Sequence, residues 1–273
     1  MKINLTYTVK KNLIPDYYYE VLSCYGLSAK NIKNSTLFII KNIFNSYTYN
    51  KELNNYTLKD NLHTNQLDII STVNQTIITL NAKLKDKYEY KLNLYYKAKE
   101  EFNKSNNKED FKEKEPKLIQ FNNYSSTIDS KTYYQIINKT LLENVIKTKE
   151  SINKKFIDYG EVHSHLAQAV VQQVCDEYNY YFKALKEYFI QHKDKNINNN
   201  DNNFTGMPKE PQYKAKQSKI TFEISKQRFN NNGTVLLIGN KHKLYQDYAK
   251  KELVKPEIIE KFNAFNLMKV INN

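Results

Sequence analysis

The chain has 273 residues, 42 of them Lys or Arg against 29 Asp or Glu, a net charge of +13, and 40% of its residues are hydrophobic. This length and apolar content indicate one large or two modest globular domains. The longest apolar runs fall short of the ~20 residues that cross a bilayer, and no signal-peptide pattern opens the chain, so we expect a soluble, cytoplasmic protein. Cys24 and Cys175 lie far apart without a CxxC pair, which argues against a disulfide scaffold and a zinc site.

The positive charge has two explanations. Almost every basic residue is lysine, arginine occurring once at Arg228, and asparagine is abundant. An AT-rich genome produces this bias by codon drift. Drift also raises glutamate, however, and the chain has only 29 acidic residues. The charge therefore favours a polyanionic partner.

The first fifty residues predict a strand and a helical region. In residues 1–12 apolar and polar side chains alternate, which is typical of a half-buried strand. From Pro15 the apolar residues recur every three or four positions, which predicts helix packed into a bundle. This stripe contains Ile32, Leu37, Ile40, Phe44 and Tyr47. We expect Gly26 to interrupt the helix as a loop or a cap.

The middle of the chain predicts further helices around a mobile insertion. Residues 60–100 favour one or two helices, although their β-branched side chains weaken the pattern. Their apolar positions are Leu67, Ile70, Val73, Ile77 and Leu80. Residues 103–116 are polar and charged without periodicity and predict a mobile insertion. A helix from Ser130, a candidate N-cap, to Phe156 carries Leu141, Val145 and Ile152 on its apolar side.

The segment His165–Phe189, HLAQAVVQQVCDEYNYYFKALKEYF, predicts a long amphipathic helix. Its apolar residues at three- and four-residue spacing are Leu166, Val170, Val174, Tyr178, Phe182, Leu185 and Phe189. An Asn-rich loop follows, and beyond Pro211 the sequences ITFEISKQRF and TVLLIG predict two strands of a hairpin around NNNG. A short helix and a last strand, NLMKVI, end the chain. This order predicts an α+β fold in which an inserted helical module interrupts a β-module.

The run GMPKEPQYKAKQSK, Gly206–Lys219, carries the candidate binding residues. Lysine on a stiff, extended segment can follow a phosphate backbone, and a tyrosine beside it offers a stacking face. The candidates in and after this run are Lys209, Tyr213, Lys214, Lys216, Lys219 and Lys226. On the preceding helix, Gln168 and Gln172 lie away from the most apolar stripe, where glutamine can contact bases or sugars. The alternatives are that the lysine run is a solvated linker and that the glutamines lie on a solvent-exposed helix face without a ligand.

The chain carries no catalytic motif. It contains no P-loop, no GxSxG and no GxGxxG, and its five histidines are scattered. His163 and His165 are two residues apart near a helix start and so face different directions. We therefore predict no catalytic, cofactor or metal site in this chain.

The helix and the lysine run together resemble a segment of the OrfB/TnpB-type insertion-sequence transposases. In that family an "(L/S)-x-A-Q-Q-V" helix with a "Y/FF-x-x-L-K" end precedes a Gly-x-Pro-Lys-x-Pro-x-Tyr-Lys run and a strand hairpin. The matching helix residues are Ala167, Gln168, Gln172, Gln173, Val174, Phe182, Leu185 and Lys186, and GMPKEPQYK matches the run. LSAKNIKNSTLFIIKNIFNSY is similar to the family's early helix through Asn34, Ile39, Ile40 and Lys41. Lys33 stands where the family has an aromatic residue, and Lys41 where it has arginine.

The resemblance implies an RNA-guided DNA endonuclease related to the type V CRISPR effectors. In that family a small, wedge-like β-barrel is interrupted by a helical recognition lobe, and the two hold a guide RNA paired with target DNA. On this pattern residues 1–12 form the first barrel strand and 13–195 the recognition lobe. Residues 196–218 form the Asn-rich loop and Pro/Lys linker, and 219–273 the remaining, incomplete barrel strands.

The resemblance also implies that the catalytic domain of the family is missing from this sequence. The family's catalytic domain is RNase-H-like, with an Asp, a Glu and an Asp that bind two metal ions and usually an inserted zinc ribbon. Neither its G-x-D-x-G strand nor a CxxC pair occurs here. We therefore expect the RNase-H-like domain, its Mg²⁺ and Zn²⁺, and cleavage by this chain alone to be absent.

The sequence thus predicts the nucleic-acid-binding N-terminal portion of a transposon-encoded, TnpB-like protein. Its expected partners are guide RNA and target DNA, with no membrane, and either a second copy of the chain or a separate C-terminal polypeptide. The alternative is a helical protein–protein interaction module of an AT-rich genome with no nucleic-acid role.

Overall fold

The computed structural model describes residues 16–104, 113–152, 159–160, 162, 164–193, 206–215 and 218. Several predicted features lie outside these residues. They are the first strand, the middle of the insertion, most of the Asn-rich loop, both hairpin strands, the last short helix and the last strand. The predicted site residues Lys216, Lys219 and Lys226 also lie outside them.

The described residues are mostly helical and include one three-stranded antiparallel sheet. This confirms the predicted mixture of helix and strand. In chain order the elements are α1 (Asp16–Ser46), β1 (Tyr47–Asn50), β2 (Asn55–Leu58), α2 (Thr64–Lys104), β3 (Thr127–Ile128), α3 (Ser130–Tyr134), a 3₁₀ turn (Gln135–Ile137), α4 (Lys139–Ile152) and α5 (Ser164–Lys193). They divide into two compact units: unit 1 lies within Met1–Phe38 and Lys149–Asn273, and unit 2 is Ile39–Thr148.

Helix α1 is continuous through Gly26, so the predicted interruption there is wrong. Gly26 is buried inside the helix. Glycine in a helix interior costs about 1 kcal/mol relative to alanine. Fully burying one Leu or Ile side chain contributes about 1.5–3 kcal/mol. Unit 1 buries Ile32 and Leu37 of this helix, and unit 2 buries Ile40 and Ile43. Burial of the apolar stripe therefore outweighs the cost of the glycine.

The sheet of unit 2 was not predicted. Tyr47, which we assigned to the helical stripe, is the first residue of β1. Strands β1 and β2 form a hairpin with Tyr47 opposite Leu58, and β2 pairs with β3 through Tyr56 and Ile128. Between the two hairpin strands Asn54 has φ of 50°, a left-handed conformation that asparagine tolerates. Tyrosine and threonine, which alternate here, favour such a half-buried pleated surface.

Helix α2 is a single helix of 41 residues, which narrows the prediction of one or two helices to one. Val73, Ile77 and Leu80 are buried as predicted. Leu67 is 54% exposed, because Ile69 occupies the buried position in this turn. The helix thus packs its N-terminal half into the core of unit 2.

The predicted helix from Ser130 to Phe156 is broken. Helix α3 gives way to the 3₁₀ turn before α4 begins at Lys139. The N-cap is Asp129 and not Ser130, because an Asp129 carboxylate oxygen accepts a hydrogen bond from the Thr132 backbone N–H at 2.8 Å. Leu141 and Val145 are buried as predicted.

Helix α5 confirms the helix predicted for the quoted segment. Leu166, Val170, Val174 and Tyr178 are buried at 6% exposure or less, whereas Phe189 is 48% exposed. The N-terminal half of α5 therefore belongs to the core of unit 1, and its C-terminal end projects apolar side chains outward.

Candidate nucleic-acid interface

Residues 206–215, which we call the basic segment, belong to unit 1 together with α5 and the first part of α1. The segment forms neither helix nor strand. Two prolines, Pro208 and Pro211, fix their own φ angles and lack an N–H donor. Such a segment needs side chains from neighbouring helices to hold its backbone in place.

The first of these anchors is Tyr178 on α5. Its side chain is fully buried, and its hydroxyl donates a hydrogen bond to Glu210 Oε1 at 2.8 Å. A buried tyrosine hydroxyl needs such a partner. Burial raises the pKa of Tyr178, and the hydrogen bond to Glu210 and its negative charge raise that pKa further. The phenol therefore stays protonated at neutral pH and remains a donor to Glu210.

The second anchor is Asn34 on α1. The Lys214 backbone N–H donates to Asn34 Oδ1 at 2.9 Å, and Asn34 Nδ2 donates to the Lys214 carbonyl oxygen at 2.9 Å. One amide side chain thus satisfies both backbone polar groups of Lys214, much as a neighbouring strand does. We call this two-bond arrangement an amide clasp. It fixes the backbone of Lys214 against α1.

A part-buried ion pair connects α1 and α5 beside the Asn34 clasp. Lys33 Nζ contacts Glu177 Oε1, with 5% of the Lys33 side chain and 32% of the Glu177 side chain exposed. Gln173 Nε2 donates to the same Glu177 oxygen at 3.2 Å. A buried ammonium is tolerated only when it is paired. The pair therefore sets the position of the α1 turn that carries Asn34.

Three predicted site residues come together on the anchored segment. Lys209, Tyr213 and Lys214 are exposed, Tyr213 to 46%. Partial burial of the Tyr213 ring, together with the negative charge of Glu210, raises the pKa of Tyr213. The segment therefore presents two lysine side chains and a neutral aromatic ring to solvent while its backbone is held from behind.

The predicted glutamines are less accessible. Gln168 and Gln172 are both half-buried on α5. Gln172 Nε2 donates to Asp176 Oδ1 at 2.9 Å, so its amide N–H is engaged within the helix. Their geometry offers less to a ligand than the exposed lysines of the basic segment do.

The sequence did not predict that Tyr178, Glu210 and Asn34 hold the basic segment in place. We assigned Tyr178 only to the apolar stripe of α5, and Glu210 had no predicted role. Asn34 was identified only as a position of the early-helix motif, and no contact was predicted for it. One usable signal was present: a tyrosine within an otherwise aliphatic stripe indicates a buried hydroxyl that needs an acceptor.

Across the described ranges, no group of three or more His, Cys, Asp or Glu is arranged to hold a metal ion. None of the helices in this part of the chain has an apolar stretch long enough to span a membrane. No protein family, curated protein or solved structure matches the chain. The resemblance to the OrfB/TnpB proteins therefore stays a prediction from the sequence motifs quoted above.

Proposed function

We propose that the chain is a nucleic-acid-binding protein of the TnpB type that holds guide RNA and DNA through its basic segment. The observation that carries this proposal is the amide clasp between Asn34 and Lys214. Asn34 belongs to the early-helix motif, and Lys214 ends the GMPKEPQYK motif. Two motifs that are 180 residues apart and that both carry the resemblance are thus in direct contact.

The geometry of the segment suits a polyanionic ligand. When a mobile loop becomes ordered on binding, the loss of conformational entropy weakens the affinity. A backbone that is already held in place loses less entropy. Tyr178 and Asn34 hold the segment at Glu210 and Lys214, so it requires little further ordering when it binds. Its exposed lysines can then neutralise phosphates, and the Tyr213 ring can stack on a base.

The proposal extends to the fold. Residues 1–12 and 219–273 would supply the strands of the wedge-like barrel, with the helical lobe inserted between them. Its support is the order of predicted strands along the sequence, together with the helical character of residues 16–193 in their described parts.

Salt-dependent binding tests the function. A labelled structured RNA and a labelled DNA duplex are titrated with the purified full chain, and fluorescence anisotropy is followed at several salt concentrations. The slope of log K against log salt is negative, and each lost phosphate contact reduces its magnitude by about 0.7–0.9. We therefore expect K209Q/K214Q to weaken binding and to reduce the magnitude of the slope by about 1.5.

The matched control removes the same charge elsewhere. Lys51 and Lys59 are exposed residues of unit 2, and K51Q/K59Q should leave the slope unchanged. Equal effects of the two double variants would mean that the basic segment is not the interface. Absent or salt-independent binding of both RNA and DNA would favour the helical protein–protein interaction module.

A further inference from the structure

The C-terminal half of α2 carries a surface that the proposed function does not use. An irregular segment, residues 113–125, runs along one side of this helix, and we call it the strap. Asn74 forms an amide clasp with the Tyr124 backbone at 2.7 and 2.8 Å, and Asn81 forms one with Phe121 at 2.8 and 2.9 Å. Further along, Tyr96 Oη donates to Glu115 Oε1 at 3.4 Å. The strap therefore runs antiparallel to α2.

Opposite the strap, α2 has an exposed stripe. Its members follow one another at four- and three-residue spacing: Lys83, Lys87, Tyr90, Leu94 and Lys97. Tyr90 is 66% exposed and Leu94 48%, and the three lysines are exposed as well. An α-helix turns about 100° per residue, so the strap-binding side chains lie on the far side of the helix from this stripe. The strap leaves the stripe uncovered.

Two of the four acidic residues of this part of α2 lie off the stripe. Glu89 and Glu100 lie on another face of the helix, and Glu89 pairs with Lys85 at 3.9 Å. Asp86 borders the stripe, three residues after Lys83 and four before Tyr90. Glu101 is the one acidic residue that continues the stripe beyond Lys97. The stripe itself therefore has three lysines, two before and one after the aromatic ring of Tyr90 and the aliphatic side chain of Leu94.

We propose that this stripe binds a single strand of nucleic acid, with the lysines on phosphates and the Tyr90 ring stacked on a base. Lys83 and Lys97 are fourteen residues apart, which is about 21 Å along the helix. A basic track interleaved with an aromatic ring is the usual arrangement for single strands, whose bases are free to stack. This inference rests on the proposed function for the class of ligand, but it assigns a second surface on a different unit.

The composition of the stripe disfavours a protein partner. Lysine is depleted from the buried centre of protein–protein interfaces, and only Tyr90 and Leu94 are apolar here. A duplex is disfavoured because its stacked bases offer no free face to Tyr90. The test below distinguishes single-strand binding from binding of a duplex and from the absence of nucleic-acid binding.

The test compares single-stranded oligouridine with an RNA duplex, by anisotropy, on the full chain and on the K209Q/K214Q variant. Tyr90→Ala should weaken single-strand binding about 5- to 150-fold, whereas Tyr90→Phe keeps the ring and should bind as the unchanged chain does. K83Q/K87Q/K97Q should reduce the magnitude of the salt slope by about 2. The control K114Q/K117Q/K131Q removes three exposed lysines elsewhere in unit 2 and should not. Circular dichroism checks that each variant is folded.

Each result decides between the two surfaces. Wild-type affinity in Tyr90→Ala, or duplex binding that is at least as tight and independent of Tyr90, would overturn the inference. If only K209Q/K214Q weakens binding, the stripe is solvated and the proposed function stands. If only the α2 variants weaken binding, the inference stands and the basic segment is not the interface. If no nucleic acid binds, both fail.

Discussion

The amide clasp of Asn81 on Phe121 provides a quantitative test of how unit 2 is held together. Phe121 N–H donates to Asn81 Oδ1 at 2.9 Å, and Asn81 Nδ2 donates to the Phe121 carbonyl oxygen at 2.8 Å. Phe121 is only 9% exposed, so Asn81→Ala leaves two poorly hydrated backbone groups without partners. Each such group costs about 1–3 kcal/mol. Since Asn81 is half-buried, water reaches the site in part and the lower values apply. Alanine has a higher helix propensity than asparagine, which offsets up to about 0.7 kcal/mol of this loss.

We therefore expect Asn81→Ala to lower the free energy of unfolding by about 1.3 kcal/mol. Urea unfolding followed by circular dichroism measures it. The control is Asn93→Ala, the same substitution at an exposed position of α2, which should be neutral or slightly stabilising. Asn81→Asp keeps the acceptor but turns an oxygen toward the Phe121 carbonyl, and it should cost at least as much as Asn81→Ala. Equal stability of the Asn81→Ala and Asn93→Ala variants would show that the clasp contributes nothing.

Two further predictions concern pH. Burial raises the pKa of Tyr47 to about 12, and its hydroxyl donates to the Ser125 carbonyl oxygen at 2.8 Å. The stability that this neutral phenol contributes is complete below the ordinary tyrosine pKa of about 10 and is lost as pH rises toward 12. Tyr47→Phe should therefore flatten the fall in unfolding free energy over this range, and an unchanged slope would contradict the assignment. Hydrogen bonds from the side chain and backbone of Thr132 lower the pKa of Asp129, so its capping contribution is present above the ordinary aspartate pKa of about 3.9 and is lost as pH falls through the lowered value. Asp129→Ala should cost about 1 kcal/mol at neutral pH and less in acid, and an equal loss at both would exclude a role for the carboxylate charge.

The long helices were predictable because their burial pattern is periodic. In α5 the stripe from Leu166 to Tyr178 predicts both the helix and its buried face, and the burial confirms both. In α2 the β-branched residues did not prevent helix, because burial of Val73 and Ile77 outweighs their weak preference. Patterns that span several turns average over local exceptions such as Gly26.

The hairpin of unit 2 was missed because its signal is short. Strands β1 and β2 have four residues each, too few for a period of two to stand out beside the helical stripe that precedes them. The Tyr–Thr alternation in YTYN and NYTL is visible in retrospect. What selects the strand is tertiary: the Tyr56 ring stacks on Tyr133 with centroids 3.8 Å apart.

The candidate site was predictable only in its exposed part. Lys209, Tyr213 and Lys214 were identified from local composition, because lysine and proline on one segment are visible in the sequence. The clasps were not, since each joins an amide to backbone that is distant along the chain. Asn81 and Phe121 are 40 residues apart, and Asn34 and Lys214 are 180 apart. Asparagine is too common in this chain for any one of them to stand out.

Photocrosslinking from the basic segment tests the central claim most directly. A benzophenone amino acid replaces Tyr213, which is 46% exposed, and in a second protein it replaces the exposed Lys51 of unit 2. Each protein is irradiated with a labelled structured RNA at low and at high salt. We expect a covalent RNA adduct from position 213 that disappears at high salt, and little adduct from position 51. Equal crosslinking from both positions, or none from position 213, would contradict the assignment of the basic segment as the nucleic-acid interface.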